Sequence, residues 1–285
     1  MAPATVGLAA VQVNIVVGSA IASREQGAVA CLNYAFRLLY LPIGIFGVAI
    51  GTIATTGLAQ RAAEKDMPGM QRTLRQALRM VAFLTIPSTL GLIVLGQPII
   101  RLLFQHGKFT ASDTIKTAIA LKYYAVGLFA YSAVKVLAPA FYALERPRVP
   151  LYGSLLSVAT NLVLNLSLYP YLGYRGVALG TAAGALVNFL ILTIAFQRSV
   201  GGVRGGGLGP ALAKVTVASA VMAAVAWAAA VWVERLLGGG TLLAKLATCF
   251  VPIGLALAAY AACARALGLE EMKDLWGLVK RRFGR

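Results

Sequence analysis

Acidic side chains are scarce in this sequence and are missing from its long apolar segments. Only nine aspartates and glutamates occur among 285 residues, beside 26 lysines and arginines and one histidine, His106. A membrane phosphotransferase or glycosyltransferase needs carboxylates to hold its metal or to move protons. The sequence therefore argues against an enzyme of this kind. The nine acids lie in predicted loops, helix caps or the C-terminal tail: Glu25, Glu64, Asp66, Asp113, Glu145, Glu234, Glu270, Glu271 and Asp274.

Cysteine motifs and nucleotide-binding motifs are lacking as well. The three cysteines, Cys31, Cys249 and Cys263, are scattered in or beside apolar segments without metal-ligand spacing. They are expected to be small packing residues. The chain has no glycine-rich loop of the G-x-x-x-x-G-K-[ST] type. The sequence therefore argues against an activity that is driven by ATP through a P-loop.

Apolar residues dominate what is present. The chain is 59% hydrophobic, its mean hydropathy is +0.79, and 12% of its residues are charged, roughly half the usual share of a soluble domain. A helix that spans the hydrocarbon core needs about 20 apolar residues. Long uninterrupted apolar runs favour helices over the alternating strands of a barrel. We therefore predict an all-α polytopic membrane protein with about eight transmembrane helices.

The predicted helices divide into a larger and a smaller group. The flexible segment GGVRGGGLGP (201–210) is expected to link a six-helix unit (1–200) to two additional transmembrane helices (211–268). A basic amphipathic tail (269–285) is expected to lie on the membrane surface. The predicted helices cover approximately 4–22, 33–59, 79–97, 114–143, 149–170, 176–197, 210–233 and 241–266. Thr110 and Asp113 are predicted to form a capping box for the fourth of them.

A net charge of +17 has two explanations in a chain of this composition. Basic loops facing an anionic cytoplasmic leaflet explain it better than nucleic acid does. Sixteen lysines and arginines fall on the side that includes both termini, eight fall on the other side, and two lie within spans. This bias predicts cytoplasmic termini, anionic membrane lipids as partners, and no nucleic acid.

Two cations lie inside predicted spans, where an ionisable group is costly. Arg37 is about four residues into the second span, and Lys135 is about two-thirds along the fourth. Each side chain either snorkels to an interface or faces an anion in a cavity, a role that suits the planar guanidinium of arginine. Pro139 is expected to kink the helix that carries Lys135.

Neutral polar residues recur at helical spacing. Asn161 and Asn165 share one face of the fifth span, and Asn14 and Thr181 lie in the first and sixth spans. These side chains either form interhelical hydrogen bonds or supply oxygens to a small hard cation. Glycines repeat at every fourth position, which allows helices to approach closely: Gly47 and Gly51, and Gly176, Gly180 and Gly184.

Several strings resemble one transporter family in the order in which they occur. They are YAFRLLYLPIGIFGVAIGTI, LFQHGKFTASD, YSAVKVLAPAFYAL and GYRGVALGTAAGALVNF, and they resemble the MurJ/MviN lipid II flippases of the MOP superfamily. The resemblance implies the C-terminal half of such a protein, namely its second six-helix lobe and two further helices. An N-terminal lobe is then a missing partner.

The resemblance also implies roles for particular residues. Arg37, with Lys135, would contact the diphosphate of lipid II; Phe36 and Tyr40 stand where relatives often carry acids. Some members bind sodium through residues that match Asn14, Asn161, Asn165, the Val177 carbonyl and Thr181. Because Asn14 and Asn165 replace carboxylates, we expect sodium to bind weakly or not at all. No other cofactor is expected.

The function that the resemblance implies is the flipping of a lipid-linked peptidoglycan precursor by alternating access. The expected location is the bacterial cytoplasmic (inner) membrane, where this step serves cell-wall synthesis. Two alternatives stay open. One is another MOP-type exporter, of lipid-linked oligosaccharide or drugs, and the other is a membrane fragment that does not transport.

Overall fold

The computed structural model describes residues 12, 14–201, 208–238 and 241–272, and within them every regular element is a helix. The predicted all-α class is confirmed. Helical residues 14–22 form α1; the rest of the predicted first span lies outside the described residues. The other helices are α2 (Ala28–Pro42), a π-helical segment (Ile43–Val48), α3 (Ala49–Ala63), α4 (Met67–Phe104), α5 (Ala111–Ala125), α6 (Leu128–Ala143), α7 (Arg148–Leu172), α8 (Tyr174–Val200), α9 (Leu208–Leu237) and α10 (Leu242–Ala266).

The number of membrane-crossing segments is close to the prediction. Six continuous helical stretches are long and apolar enough to cross a membrane, and the α5–α6 pair makes a seventh if it is one bent span. α4 has 38 residues and is therefore about 57 Å long, well beyond the roughly 30 Å hydrocarbon core. It was predicted to stop at residue 97, but the helix tolerates Pro98 and ends at Phe104.

The second span contains a wide turn that the sequence analysis did not foresee. Six π-helical residues, Ile43–Val48, follow directly after Pro42. Proline has no N–H to donate to the carbonyl four residues earlier, and its ring crowds that carbonyl. π-turns of this kind occur often at functional sites. Here the segment precedes the contact of Gly51 with α6, where an added Cβ would lie 2.8 Å from the Lys135 carbonyl oxygen.

The fourth span bends at a position that was not predicted. α5 and α6 meet at 45° across the break between Ala125 and Leu128, whereas Pro139 lies inside α6; the kink at Pro139 stays a prediction. Gly127 lies at the break, and a Cβ there would come within 2.9 Å of Ala182 Cα on α8. The bend thus lies where the chain packs closely against α8. α5 begins with the predicted capping box of Thr110 and Asp113, which is confirmed.

α7 and α8 form a closely packed pair. The repeated glycines of α8 face the α7 backbone, because a Cβ at Gly176 would lie 3.0 Å from the Leu168 carbonyl carbon and one at Gly184 would lie 2.8 Å from the Ser157 carbonyl oxygen. A larger side chain at either position would separate the helices. The glycine spacing therefore brings the polar face of α7 against α8.

α9 and α10 pack against α4 rather than standing apart. The Tyr260 hydroxyl donates to the Phe83 carbonyl at 2.6 Å, and Val215, Met222 and Leu269 join Phe83 in one buried cluster. Leu269, the first residue of the predicted tail, is thus buried against protein. The predicted tail beyond residue 272 and the predicted linker at 202–207 lie outside the described residues.

Contacts between distant residues define two ends of the bundle. At one end Gln71 donates to the Val200 carbonyl at 2.5 Å and Arg146 donates to the Ser199 hydroxyl at 2.9 Å. At the other end the Tyr174 amide donates to the Glu25 carboxylate at 3.1 Å. We call the first of these the basic end; it comprises the end of α3 with the turn at residues 64–66, α4 as far as Arg79, the turn at residues 144–147 with Arg148, the C-terminus of α8, Lys214 of α9 and residues 265–272. Ten lysines and arginines and five acids lie in these residues.

Candidate functional site

A polar cavity of about 520 Å³ opens within the bundle. Residues of α1, α2, α5, α6, α7 and α8 form its wall, together with Ile43 of the π-helical segment. Polar side chains in a membrane bundle are expected to face such an interior and not lipid. Those that line this cavity are Asn14, Ser19, Asn33, Tyr40, Tyr124, Tyr131, Lys135, Ser154, Ser157, Asn161, Asn165, Thr181 and Asn188.

A chain of hydrogen bonds runs along one side of the cavity. Asn165 Nδ2 donates to Asn161 Oδ1 at 2.8 Å, and Asn161 Nδ2 donates to Thr181 Oγ1 at 2.9 Å. Thr181 Oγ1 in turn donates to the Val177 carbonyl at 2.8 Å. Asn161 and Asn165 are both buried. An interhelical hydrogen bond was one of the two roles predicted for these residues, and this bond is present between α7 and α8.

Several buried polar atoms of this wall have no hydrogen-bond partner. They are Asn14 Oδ1, Asn165 Oδ1, Asn188 Oδ1 and the Tyr131 hydroxyl. An unsatisfied buried polar group costs about 1–3 kcal/mol, and native proteins contain few of them. Two of the four lie against glycines of the paired helix, Asn165 Oδ1 against Gly180 and Asn188 Oδ1 against Gly153. Asn14 Oδ1 and the Tyr131 hydroxyl are then the remaining polar groups of the wall without a partner among the described residues.

Lys135 is the only lysine or arginine whose side chain lines this cavity within the described residues. It is exposed, and no carboxylate of the described part of the chain lies within 4 Å of it. Because no carboxylate of the described residues pairs with it, the ammonium group of Lys135 remains available to an anion that enters the cavity. The backbone carbonyl of Lys135 lacks its usual helical partner, because Pro139 has no N–H, and Gly51 packs against this carbonyl.

Arg37 lies beside the cavity and not in its wall. It is exposed on α2, whereas Asn33 and Tyr40, which lie about one turn before and after it on the same helical face, line the cavity together with Phe36. Because α2 begins at Ala28, Arg37 is about 13 Å along the helix from its first residue. Arg37 therefore lies deeper in its helix than was predicted, because the predicted span began at residue 33 and placed Arg37 only about four residues from its start. The structure thus groups six of the seven predicted site residues and leaves Arg37 at the rim.

An aromatic cluster forms the α2 side of the wall. The Phe36 ring lies 5.4 Å from the Tyr124 ring, 6.0 Å from the Tyr40 ring and 6.3 Å from the Tyr131 ring, as centroid distances. Phe36 and Tyr40 occupy the positions where the family resemblance suggested acids. They pack with other rings and so supply apolar surface instead of charge to the region near Arg37.

Three polar residues of the cavity wall were not predicted from the sequence. Ser154, Ser157 and Asn188 also line the cavity, and Asn188 Oδ1 lies close to the bare Gly153, where a Cβ would come within 2.5 Å of it. Their spacing carried a usable signal. Ser154 and Ser157 continue the stripe of Asn161 at helical intervals, and Asn188 follows Thr181 by two turns.

The amide cluster fits a hard cation in ligand type but not in charge. Hard cations prefer carbonyl, hydroxyl and carboxylate oxygens, and Asn14 Oδ1 and Asn165 Oδ1 are buried without partners. Asn14, Asn161, Asn165, Val177 and Thr181 all line the same cavity. Among the described residues, no group of three or more His, Cys, Asp or Glu side chains could hold a metal ion. The site therefore offers neutral oxygens only.

The fold is similar to that of solved membrane transporters of the MOP superfamily. The structure superposes on an outward-facing multidrug resistance MATE transporter with a TM-score of 0.61 at 13% identity, which covers 95% of this chain and 65% of that chain. A structure described as lipid II flippase MurJ in an inward closed conformation matches with a TM-score of 0.73 at 25% identity, covering 92% of this chain and 53% of that chain.

Sequence comparison identifies the family. The model of the family described as lipid II flippase MurJ matches residues 1–248. A probable lipid II flippase MurJ of Rhizobium tropici is 33% identical over 99% of this chain and 52% of its own length. One from Thermotoga maritima is 31% identical over 88% of this chain and 48% of its own length. The chain belongs to the MurJ family, and it spans about half the length of these curated relatives.

Proposed function

We propose that this chain is one lobe of a lipid II flippase, together with the two additional helices, and that it carries the precursor across the bacterial inner membrane for cell-wall synthesis. The observation that supports this proposal is the cavity of about 520 Å³, whose wall carries polar side chains from six helices and the ammonium group of Lys135, in a chain of the MurJ family. The work of this chain is transport by alternating access and not catalysis.

Lys135 and Arg37 are proposed to hold the diphosphate. Lys135 presents an ammonium group at the wall, while Arg37 lies beside the cavity on the helical face of Asn33 and Tyr40. A guanidinium group can donate two parallel hydrogen bonds to a phosphate. Neither cation has a carboxylate within 4 Å among the described residues. An entering anion would therefore meet no competing acid.

A second lobe is proposed to complete the cavity. The chain covers 52% of the Rhizobium tropici relative and 53% of the MurJ structure. Arg37 is exposed and would face that second lobe across the substrate. Rocking of two lobes around a site near the bilayer midplane would then expose it to either side in turn. We further propose that the basic end faces the cytoplasm, as its charge bias favours.

Sodium is proposed to have at most a weak role. Asn14, Asn161, Asn165, the Val177 carbonyl and Thr181 would hold the ion, whose binding would stabilise one arrangement of α1 against α7 and α8. All five groups are neutral, so the site offers the ion no formal countercharge. Weak binding leaves the membrane potential as the expected driving force.

The test uses the chain joined to a first lobe from a MurJ relative, in cells depleted of their own flippase. The proposal expects growth and outward-accessible lipid II with the native sequence, and loss of both with Arg37→Ala or Arg37→Glu. Arg175→Ala, an exposed cation at the opposite end from the basic end, is the matched control. Normal cell-wall synthesis with both Arg37 variants would exclude the role of Arg37.

Two rival functions predict other outcomes of the same experiment. A drug or polysaccharide-precursor exporter would rescue a different substrate defect and leave lipid II inaccessible. The likeness to MATE transporters shows the fold alone, so it does not favour drugs as substrates. A fragment without transport would give no activity with any first lobe. Activity of residues 1–285 without a first lobe would contradict the proposed second lobe.

A further inference from the structure

A second polar pocket, of about 220 Å³, lies at the basic end between the first turns of α4 and the residues that follow α10. Its charged wall consists of Arg72, Arg75, Arg79, Glu270 and Glu271. The pocket is separate from the cavity described above and shares no lining residue with it. Three cations and two anions leave it with a net charge of +1.

The two acids of the pocket are both committed to the same arginine. Arg79 Nη2 lies 2.9 Å from Glu270 Oε2, and Arg79 Nε lies 2.5 Å from Glu271 Oε1. Arg72 and Arg75 have no carboxylate within 4 Å in the part of the chain that the structure describes. Arg75 Nε is buried and has no hydrogen-bond partner among the described residues. Two guanidinium groups are therefore left to bind an anion.

Glu271 supplies a hydrogen-bond acceptor to the same pocket, in contrast to the donors of Arg72 and Arg75. Its side chain is 5% exposed, and its Oε2 is buried without a hydrogen-bond partner in the part of the chain that the structure describes. A buried carboxylate oxygen requires a donor. The pocket thus combines unpartnered donors for an anionic group with one unpartnered acceptor for a hydroxyl or ammonium group.

The depth of the pocket in the bilayer follows from the charge pattern of α4. Residues 80–100, between Arg79 and Arg101, are 21 residues without a charge, and they span about 31 Å of helix. This matches the roughly 30 Å hydrocarbon core. Arg79 therefore marks one edge of the core, and Arg72 and Arg75 lie beyond it at the depth of lipid headgroups.

We propose that this pocket binds the headgroup of an anionic phospholipid with a glycerol headgroup. Arg72 and Arg75 lie three residues apart on α4, so their side chains share one face and can grip one phosphodiester with charge-assisted hydrogen bonds. A glycerol hydroxyl donates to Glu271 Oε2. A headgroup with charge −1 neutralises the pocket, whereas a zwitterionic headgroup leaves its net +1 uncompensated.

The experiment is a lipid titration of the purified full chain, followed by native mass spectrometry. Phosphatidylglycerol is expected to bind at least tenfold more tightly than phosphatidylcholine. The double variant R72Q/R75Q is expected to lose this preference. Arg148→Gln removes one exposed cation at the same end of the bundle and is expected to keep it. Circular dichroism melting curves verify that each variant folds.

A conservative variant separates a built site from general charge attraction. Arg75→Lys keeps the charge but removes the Nε donor, so phosphatidylglycerol should bind at least threefold more weakly. Equal affinity of Arg75→Lys or of R72Q/R75Q and the native chain would overturn the proposal. Displacement of phosphatidylglycerol by an equal concentration of inorganic phosphate would also overturn it, because the acyl chains and the Glu271 contact would then contribute nothing.

Discussion

Asn161 on α7 donates its side-chain amide to Thr181 Oγ1 on α8 at 2.9 Å, and this bond joins the two helices inside the polar cavity. Asn161 also accepts from Asn165 at 2.8 Å, while Thr181 donates to the Val177 carbonyl. Each member of this chain therefore fixes the orientation of the next. The Asn161–Thr181 bond stabilises the α7–α8 pair. Asn165 Oδ1, at the end of this chain of hydrogen bonds, has no partner among the described residues.

Thr181→Val should destabilise the chain by about 1 kcal/mol, because it removes the acceptor of Asn161 and leaves a buried amide unpaired. A double-mutant cycle with Asn161→Ala should give a coupling of about 0.6 kcal/mol, the average for hydrogen bonds between membrane helices. The measurement is the free energy of unfolding in detergent. Thr193→Val is the control, since Thr193 bonds only to Phe189 within α8. A zero coupling would contradict the bond.

Gly184→Ala and Gly254→Ala should change stability in opposite directions. A Cβ at Gly184 would lie 2.8 Å from the Ser157 carbonyl oxygen, whereas one at Gly254 meets nothing within 4 Å. Overpacking of this kind costs about 1–3 kcal/mol, but alanine in an open helical position gains up to about 1 kcal/mol over glycine. Thermal unfolding of the two variants in the same detergent measures the difference. Equal melting temperatures would refute the close α7–α8 contact.

Composition and spacing were enough to predict the helical class and the polar faces of α7 and α8. The repeated glycines and the pair Asn161 and Asn165 encode local geometry, which a 3.6-residue period makes readable. Thr110 and Asp113 were predicted as a capping box for the same reason. Features set within one or two helical turns could therefore be predicted.

Features that depend on distant residues could not be predicted in this way. The bend at Gly127 arises where Ala182 of α8 comes close, and nothing near Gly127 in sequence reveals that neighbour. Arg37 was predicted to lie inside the second span, but only the packing of Phe36 against Tyr124 and Tyr131 shows that the neighbouring part of α2 forms an aromatic wall of the cavity. The pairing of Arg79 with Glu271 joins residues 192 positions apart.

Asn14→Asp should convert the weak cation site into a measurable one. Asn14 Oδ1 is buried without a partner, so a carboxylate there adds charge without breaking the Asn161–Thr181 bond. We expect at least a tenfold tighter sodium affinity, read as a sodium-dependent rise in melting temperature that potassium does not reproduce. Asn33→Asp is the control, because Asn33 lines the same cavity away from the amide cluster. Identical sodium responses of both variants would contradict the site.

The bend of the fourth span leads to a last prediction, in which Gly127 and not Pro139 is the sensitive position. Gly127→Ala should destabilise the chain by about 1–3 kcal/mol, because the new Cβ would lie 2.9 Å from Ala182 Cα and 2.8 Å from the Tyr131 ring.

Pro139→Ala should have a smaller effect, since Pro139 lies within a continuous α6 and alanine restores the N–H that the Lys135 carbonyl lacks. Unfolding in detergent ranks the two variants, and growth of flippase-depleted cells carrying each variant joined to a first lobe shows whether the bend matters for transport. A larger loss of stability with Pro139→Ala than with Gly127→Ala would mean that the proline, and not the contact with α8, sets the shape of this span.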